Sequence, residues 1–232
     1  MAFLGTSSAQ KGPLWWAASH RHHHKHSDTD EDLHSPGLRG IWWAHAGWVL
    51  SDEHDDADMG LVKDLVAFPE LRFLDKYHYI PPLMFVGFTF ILGSFLSSTF
   101  PGLHTTTTQI VIWGGIVSTV FLYHGTFAIN SLAHILGRKR FKTTDESRNS
   151  LFLALITLGE GWHNNHHRYP GSERQGFYWW EIDVSHYVLT LLSKFGIVWN
   201  LRAPPARIYA EASANTTDRY FHEKVNLDQQ QT

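Results

Sequence analysis

The chain has 232 residues, enough for one substantial domain, with 17 His, 10 Trp, 15 Phe, no Cys and a formal net charge of -3. The near-neutral balance leaves no nucleic-acid footprint, and the lack of Cys excludes disulfides, thiolate zinc sites and iron–sulfur clusters. Any metal must therefore be held by His and oxygen ligands. No charged stretch followed by an apolar run and a small-residue cleavage site opens the chain, so a secretory leader is not expected. HRHHHKH, residues 20–26, comes first: His20, His23 and His24 stand at i, i+3 and i+4 and share one face of a helix. Taken alone, such a tract is equally an adventitious metal binder or a tag-like stretch. The aromatic segment IWWAHAGWVL follows, then the acidic SDEHDDADMGLVKDL, which lacks the Gly and Glu positions of a calcium loop and reads as solvated.

From Tyr79 to Phe100 the sequence YIPPLMFVGFTFILGSFLSSTF carries no charge. About 20 residues at 1.5 Å each cover roughly 30 Å, the thickness of a bilayer core. A second span runs from Gln109 to Ile135, with His124, Asn130 and His134 in its later turns, and FPGLHTTTT connects the two. Arg72 and Lys76 flank one end of the pair and Arg138, Lys139, Arg140 and Lys142 the other, whereas the connection has no Lys or Arg. The positive-inside bias places both flanks in the cytoplasm, so the pair at about 79–135 reads as a helical hairpin. The competing reading is two buried helices of a soluble protein.

Beyond the hairpin, GEGWHNNHH repeats the earlier spacing with His163, His166 and His167. Two such triads at 20–24 and 163–167, on one membrane face, can converge on a polynuclear centre. Imidazole suits iron, copper, zinc or nickel alike. In NSLAH, Asn130 and His134 share a face at i, i+4, and polar groups so placed in a spanning helix read as functional. Residues 183–201, with few charges, are expected to lie against the cytoplasmic surface of the bilayer. After Pro204 the composition turns polar, giving one membrane domain over 1–204 and a tail over 205–232.

HRHHHKHSDTDEDLHSP, NSLAH and GEGWHNNHHRYP resemble the second histidine box, the auxiliary Asn/His pair and the third histidine box of membrane fatty acyl desaturases of the stearoyl-CoA desaturase type. The likeness extends through IWWAHAGWVL and WWEIDVSHYVLTLLSKFGIVWNL and covers nearly the whole chain. It implies an all-α integral membrane protein, multi-pass, with a histidine-rich helical cap on the cytoplasmic face. It also implies an oxygen-dependent enzyme that introduces a cis double bond, usually between carbons nine and ten, at two non-haem irons. By the resemblance, His20, His23, His24, His134, His163, His166 and His167 are iron ligands, and Asn130 reaches iron through a water. His22, His26 and His34 match no ligand position, and Arg21, which faces away from the triad, is expected to pair with an acidic neighbour.

Thr126 and Phe127 resemble positions beside the bend of the acyl slot, with Phe where animal relatives have Trp, and Trp16 resembles a substrate-facing position. Ordinary helix packing is the competing reading for Thr126 and Phe127. Ala18 and Ser19 stand where animal enzymes carry an Arg and an Asp that contact the CoA head group. Acyl-CoA, acyl-carrier protein and a membrane lipid therefore all stay open as carriers. The expected partners are a fatty acyl substrate, the bilayer and a separate electron donor of the cytochrome b, ferredoxin or rubredoxin kind, with no nucleic acid. The family's first box, HxxxxH, has no counterpart here, and MAFLGTSSAQKGPLWW reads as the end of a preceding span, so the chain resembles an N-terminally truncated desaturase. Two other functions share these features: hydroxylation of an alkane or lipid, and a membrane metal-binding protein without turnover.

Overall fold

A computed structural model describes residues 1–212 of the chain. Among these residues the structure is helical, with no strand and only the isolated bridges Arg138 to Asn149 and Asn149 to Trp162. The described residues divide into two compact units, 1–34 with 42–127, and 35–41 with 128–212.

In the first unit, helix α1 (Pro13–His26) carries the first histidine tract. Gly12 and Pro13 start it, Pro serving where a helix-terminal N–H has no partner to lose. The cap comes from a distance: Asp75 Oδ1 accepts from the N–H groups of Leu14 (2.9 Å) and Trp15 (3.0 Å). A side chain at Gly12 would meet the Asp75 backbone at 2.7 Å, so only glycine admits this approach. Trp15 stacks on Trp48 at 5.6 Å and closes an aromatic core under the helix.

Helix α2 (Ile80–Thr99) and helix α3 (Thr107–His134) are the two expected spans. Only 17% of the apolar window of α2 and 11% of that of α3 is buried, which is how helices facing lipid look and the reverse of core helices in a soluble protein. The protein is therefore an integral membrane helical protein. The two helices approach at Gly93, where a Cβ would lie 2.9 Å from Thr107 Cα, the close contact that small residues permit between spanning helices. His104 in the left-handed region turns the chain, and a capping box between Thr106 and Gln109 starts α3. The π-helical stretch Ile110–Val117 falls where Gly114 and Gly115 sit, and Thr119 Oγ1 bonds back to Gly115 O at 2.7 Å.

The second unit contains the end of α3, helices α4 (Leu151–Ile156), α5 (His163–Arg168) and α6 (Val184–Lys194), and much irregular chain. Its core joins Phe141, Phe177, Ile208 and Ala212, edged by Tyr169, Tyr178 and Tyr209. Within the polar tail expected over 205–232, residues 206–212 are helical, and Ile208 and Ala212 are buried. A polar composition hid two apolar residues one turn apart that share a face. The rest of that tail lies outside the described residues.

Candidate metal centre

The last turn of α3 tightens into a 3-10 turn, Leu132–His134, which buries His134 in the second unit. There it meets the α5 box. His163 Nε2 lies 3.2 Å from His134 Nε2 and 3.0 Å from His167 Nε2. His167 Nδ1 donates to Asp145 Oδ2 at 3.0 Å, so its proton sits on Nδ1 and its Nε2 presents a bare lone pair to the other rings. With a metal–imidazole bond of about 2.1 Å, neighbouring ligands of an octahedron stand about 3.0 Å apart. His163 Nε2 stands at about that distance from each of its two neighbours. Asn130, one turn before His134, has its Nδ2 buried without a hydrogen-bond partner among the described residues. The donor set therefore fits a metal that prefers imidazole and water. His166 belongs to the same ring cluster, its ring 5.9 Å from those of His163 and His167.

The two residues between these histidines weld the box to the unit. Asn164 Oδ1 accepts from the N–H groups of Arg140 (2.8 Å) and Phe141 (2.7 Å). Asn165 donates to Gln175 O (2.8 Å) and Glu181 Oε2 (3.0 Å), and its Oδ1 accepts from Asn149 Nδ2 at 2.7 Å. Glu181 is fully buried and ion-paired with Arg140, so its charge is both matched and hydrogen-bonded. Burial alone would raise the Asp145 carboxyl. The His167 ring and two bonds from Ser147 outweigh it and hold Asp145 well below the usual carboxylate range. Asp145, Asn164, Asn165 and Glu181 were not expected from the sequence. The readable signal was that positions 164 and 165 fall off the histidine face of a helix, toward the body of the protein.

Glu160, at the entry to this box, behaves oppositely. Burial pushes its pKa up to about 7 against the lowering effect of the Gln175 hydrogen bond, with Asp183 adding repulsion. A carboxyl whose folded pKa is raised favours the fold while protonated and loses that contribution as pH climbs from its ordinary 4.5 to about 7. The loss amounts to about 3 kcal/mol at most. Glu160→Gln is therefore expected to match the parent in stability at pH 5 and exceed it at pH 8, read by unfolding in detergent. An unchanged difference across that range would overturn the assignment.

In the first unit α1 presents the second set. His20 and His24 face each other through Nε2 at 3.1 Å, and His23, buried, donates from Nδ1 to Asp32 Oδ1 at 2.8 Å. Asp32 is held in turn by the N–H groups of Asp28 (2.7 Å) and His34 (3.2 Å). His23 thus has the carboxylate support that His167 has, and its Nε2 lies 3.5 Å from Ser27 Oγ. His22 and His26 point instead to Glu31, at 2.8 Å to its carbonyl and 3.2 Å to its carboxylate, and His34 stacks on His23. Arg21 faces away from the box and grips Asp64 through two bonds of 2.6 and 2.9 Å, holding that carboxyl down at about 2.

Of the expected substrate-side residues, Phe127 lines a cavity of about 320 Å³ in the first unit together with Gln10, Lys11, Leu50 and Tyr123. Gln10 donates weakly to Thr126 Oγ1 at 3.4 Å, and Trp16 Nε1 donates to the Gln10 carbonyl. Gln10, which the sequence reading passed over, therefore lines the cavity with Phe127, and Trp16 and Thr126 reach it only through their bonds to Gln10.

The family model described as fatty acid desaturase matches residues 2–202. Among similar curated proteins is the icosanoyl-CoA 5-desaturase of Limnanthes douglasii, 37% identical over 207 residues, which are 88% of this chain and 54% of the relative. The sn-1 stearoyl-lipid 9-desaturase of Anabaena variabilis is 36% identical over 203 residues, 87% of this chain and 70% of the relative. A chloroplastic palmitoyl-monogalactosyldiacylglycerol delta-7 desaturase of Arabidopsis thaliana is 33% identical over 206 residues, 88% of this chain and 52% of the relative. The chain thus spans between about half and about two thirds of the length of these relatives. With the histidine boxes, the auxiliary Asn/His pair and the membrane hairpin all inside the matched region, the chain belongs to the fatty acid desaturase family.

Proposed function

We propose that the chain acts in the oxygen-dependent desaturation of a fatty acyl chain, forming a cis double bond at two non-haem irons, with carbons nine and ten the expected position. The observation that carries this reading is the cluster of His134, His163 and His167, with His163 Nε2 at 3.2 and 3.0 Å from the Nε2 atoms of the other two and His167 held by Asp145. His20, His23 and His24 of the first unit and His166 of the second complete the proposed ligand set, and Asn130 acts through a water. When bound, the irons would supply the reduction of oxygen and the removal of two hydrogens from adjacent methylene groups. The protein's part is to orient the imidazoles, which Asp32 and Asp145 do by accepting hydrogen bonds from the Nδ1–H groups of His23 and His167. The cavity bordered by Phe127 and Gln10 offers the apolar slot that keeps water from the reacting carbons.

The relatives' printed names include acyl-CoA and acyl-lipid desaturases, and both carriers are candidates for this chain. With the basic flanks at 72–76 and 138–142 on the cytoplasmic side, the histidine boxes face the cytoplasm, where a separate donor protein of the cytochrome b, ferredoxin or rubredoxin kind delivers electrons. The test is iron per chain in the detergent-purified protein without an added His-tag, followed by mass analysis of products from stearoyl-CoA and from a stearoyl lipid. Close to two irons and a product lighter by two hydrogens are expected. A product heavier by one oxygen would make the enzyme a hydroxylase. Iron far below one per chain, with no product, would leave a membrane metal-binding protein and overturn the proposal.

A further inference from the structure

Two cavities of the first unit follow one seam. Along α1 and the residues before it, Gln10 and Lys11 line the cavity bordered by Phe127, and Ala18, Ser19 and His22 line a second one of about 220 Å³. The facing segment runs in the same order: Val49 and Leu50 border the first cavity, and His54, Asp56 and Asp58 the second. Trp15 ties the two segments midway, its Nε1 donating to the carbonyls of His54 (3.0 Å) and Asp55 (3.1 Å), and Lys11 is ion-paired with Asp55. A largely apolar slot is thus followed by a polar one, the order of groups in a lipid ester.

The second cavity is built against anions. Lys and Arg are absent from its wall and from residues 40–62, and two cations of the α1 stretch, Lys11 and Arg21, are ion-paired with Asp55 and Asp64. Asp56 and Asp58 are exposed where they border it, with Asp52, Glu53 and Asp55 in the same short segment. Ala18 and Ser19, 1% and 4% exposed, form the buried side, and the Ser19 hydroxyl has no hydrogen bond among the described residues. A buried hydroxyl without a partner, beside open carboxylates, matches a ligand that brings hydroxyl groups, which both donate and accept. A phosphate there would face carboxylates within a Debye length, about 8 Å at physiological salt. The volume falls below the roughly 300–1,000 Å³ of sites that enclose a drug-sized ligand, so the cavity takes one compact head group.

We propose that this cavity seats an uncharged, hydroxyl-bearing lipid head group, a single sugar being the simplest, so that the acyl chain arrives on a glycosyl glycerolipid and not on coenzyme A or phosphopantetheine. The inference rests on the reading of the chain as an acyl desaturase and chooses among the carriers which that reading leaves open. The sugar hydroxyls donate to Asp56 and Asp58 and accept from Ser19, the ester lies toward Trp15, and the chain runs on to Phe127. The phosphodiester of an ordinary phospholipid meets the same carboxylates as coenzyme A does.

Binding measured without turnover tests this. The full chain in detergent is titrated with radiolabelled distearoyl monogalactosylglycerol, distearoylphosphatidylethanolamine and stearoyl-CoA, read by scintillation proximity. The galactolipid is expected to bind about tenfold or more tighter than the other two, and stearoyl-CoA to bind better as salt is added, the sign of repulsion. Replacing both exposed acids, Asp56→Asn with Asp58→Asn, keeps an acceptor for the Gly60 N–H and should weaken the galactolipid about tenfold while abolishing the salt response of stearoyl-CoA. Galactolipid affinity unmoved by the double substitution, or binding of stearoyl-CoA or the phosphatidylethanolamine as tight as that of the galactolipid, would overturn the proposal and leave desaturation standing. Retention of none of the three would overturn both.

Discussion

His163→Ala is expected to remove the iron proposed for the second unit and to abolish the proposed desaturation. His163 is the hub of the triad, its Nε2 within 3.2 Å of His134 and 3.0 Å of His167. Without it the two remaining imidazoles make a weaker chelate, and iron per chain should fall by at least one equivalent, measured by metal analysis of the purified protein. Asp145→Asn, which leaves every proposed ligand in place, should weaken iron binding by about 10–100-fold, the usual cost of losing a carboxylate behind a ligating His. An intact His163→Ala chain that kept its full iron and its desaturation would sink the ligand assignment. The Asp145→Asn variant separates loss of a ligand from loss of the fold.

Gly161→Ala is expected to cost as much function through packing alone. The new Cβ would stand 2.0 Å from Ala154 N, 2.5 Å from Leu153 C and 2.7 Å from Ala154 Cα, all of them backbone that cannot swing aside. Helix α4 would have to retreat, breaking the bond from Ser150 N to Gly161 O and tilting the segment that delivers His163. Overpacking of this kind costs about 3 kcal/mol. That is roughly 6–12 °C in the unfolding midpoint of a domain this size. Thermal unfolding in detergent and iron content should fall together. A variant with an unchanged midpoint would show that α4 is not pressed against the box.

The features legible in the sequence are those that local physics settles. An uncharged run of the length of α2 has no stable place in water unless it is buried, and the run from 79 to 100 could be read as a span without knowing its neighbours. The triads at 20–24 and 163–167 follow from helical period, and α1 and α5 are helical there. The expectation that Arg21 points away from the box toward an acid holds for the same reason. Which acid it finds, Asp64, 43 residues further on, had no local signature.

The carboxylates behind the proposed ligands were invisible for that reason too. Asp32 lies in the polar run SDTDEDL and Asp145 in KTTDES, each beside other acids of equal composition. Only the folded chain distinguishes Asp32, with its side chain wholly buried against His23, from Asp30 and Glu31, which stay exposed. The burial of Ile208 had no local signature either, because it depends on Phe141 and Phe177, both far upstream.

The sequence by itself determined the membrane class, the hairpin, the histidine spacing and the family resemblance, because hydropathy and helical period are properties of short stretches. The tertiary structure decided which histidine nitrogens face one another, which carboxylates set their tautomers, and why Gly12, Gly93 and Gly161 have no room for a side chain. Those depend on atoms brought within about 3 Å from segments distant in sequence, and distances of that order are set by packing.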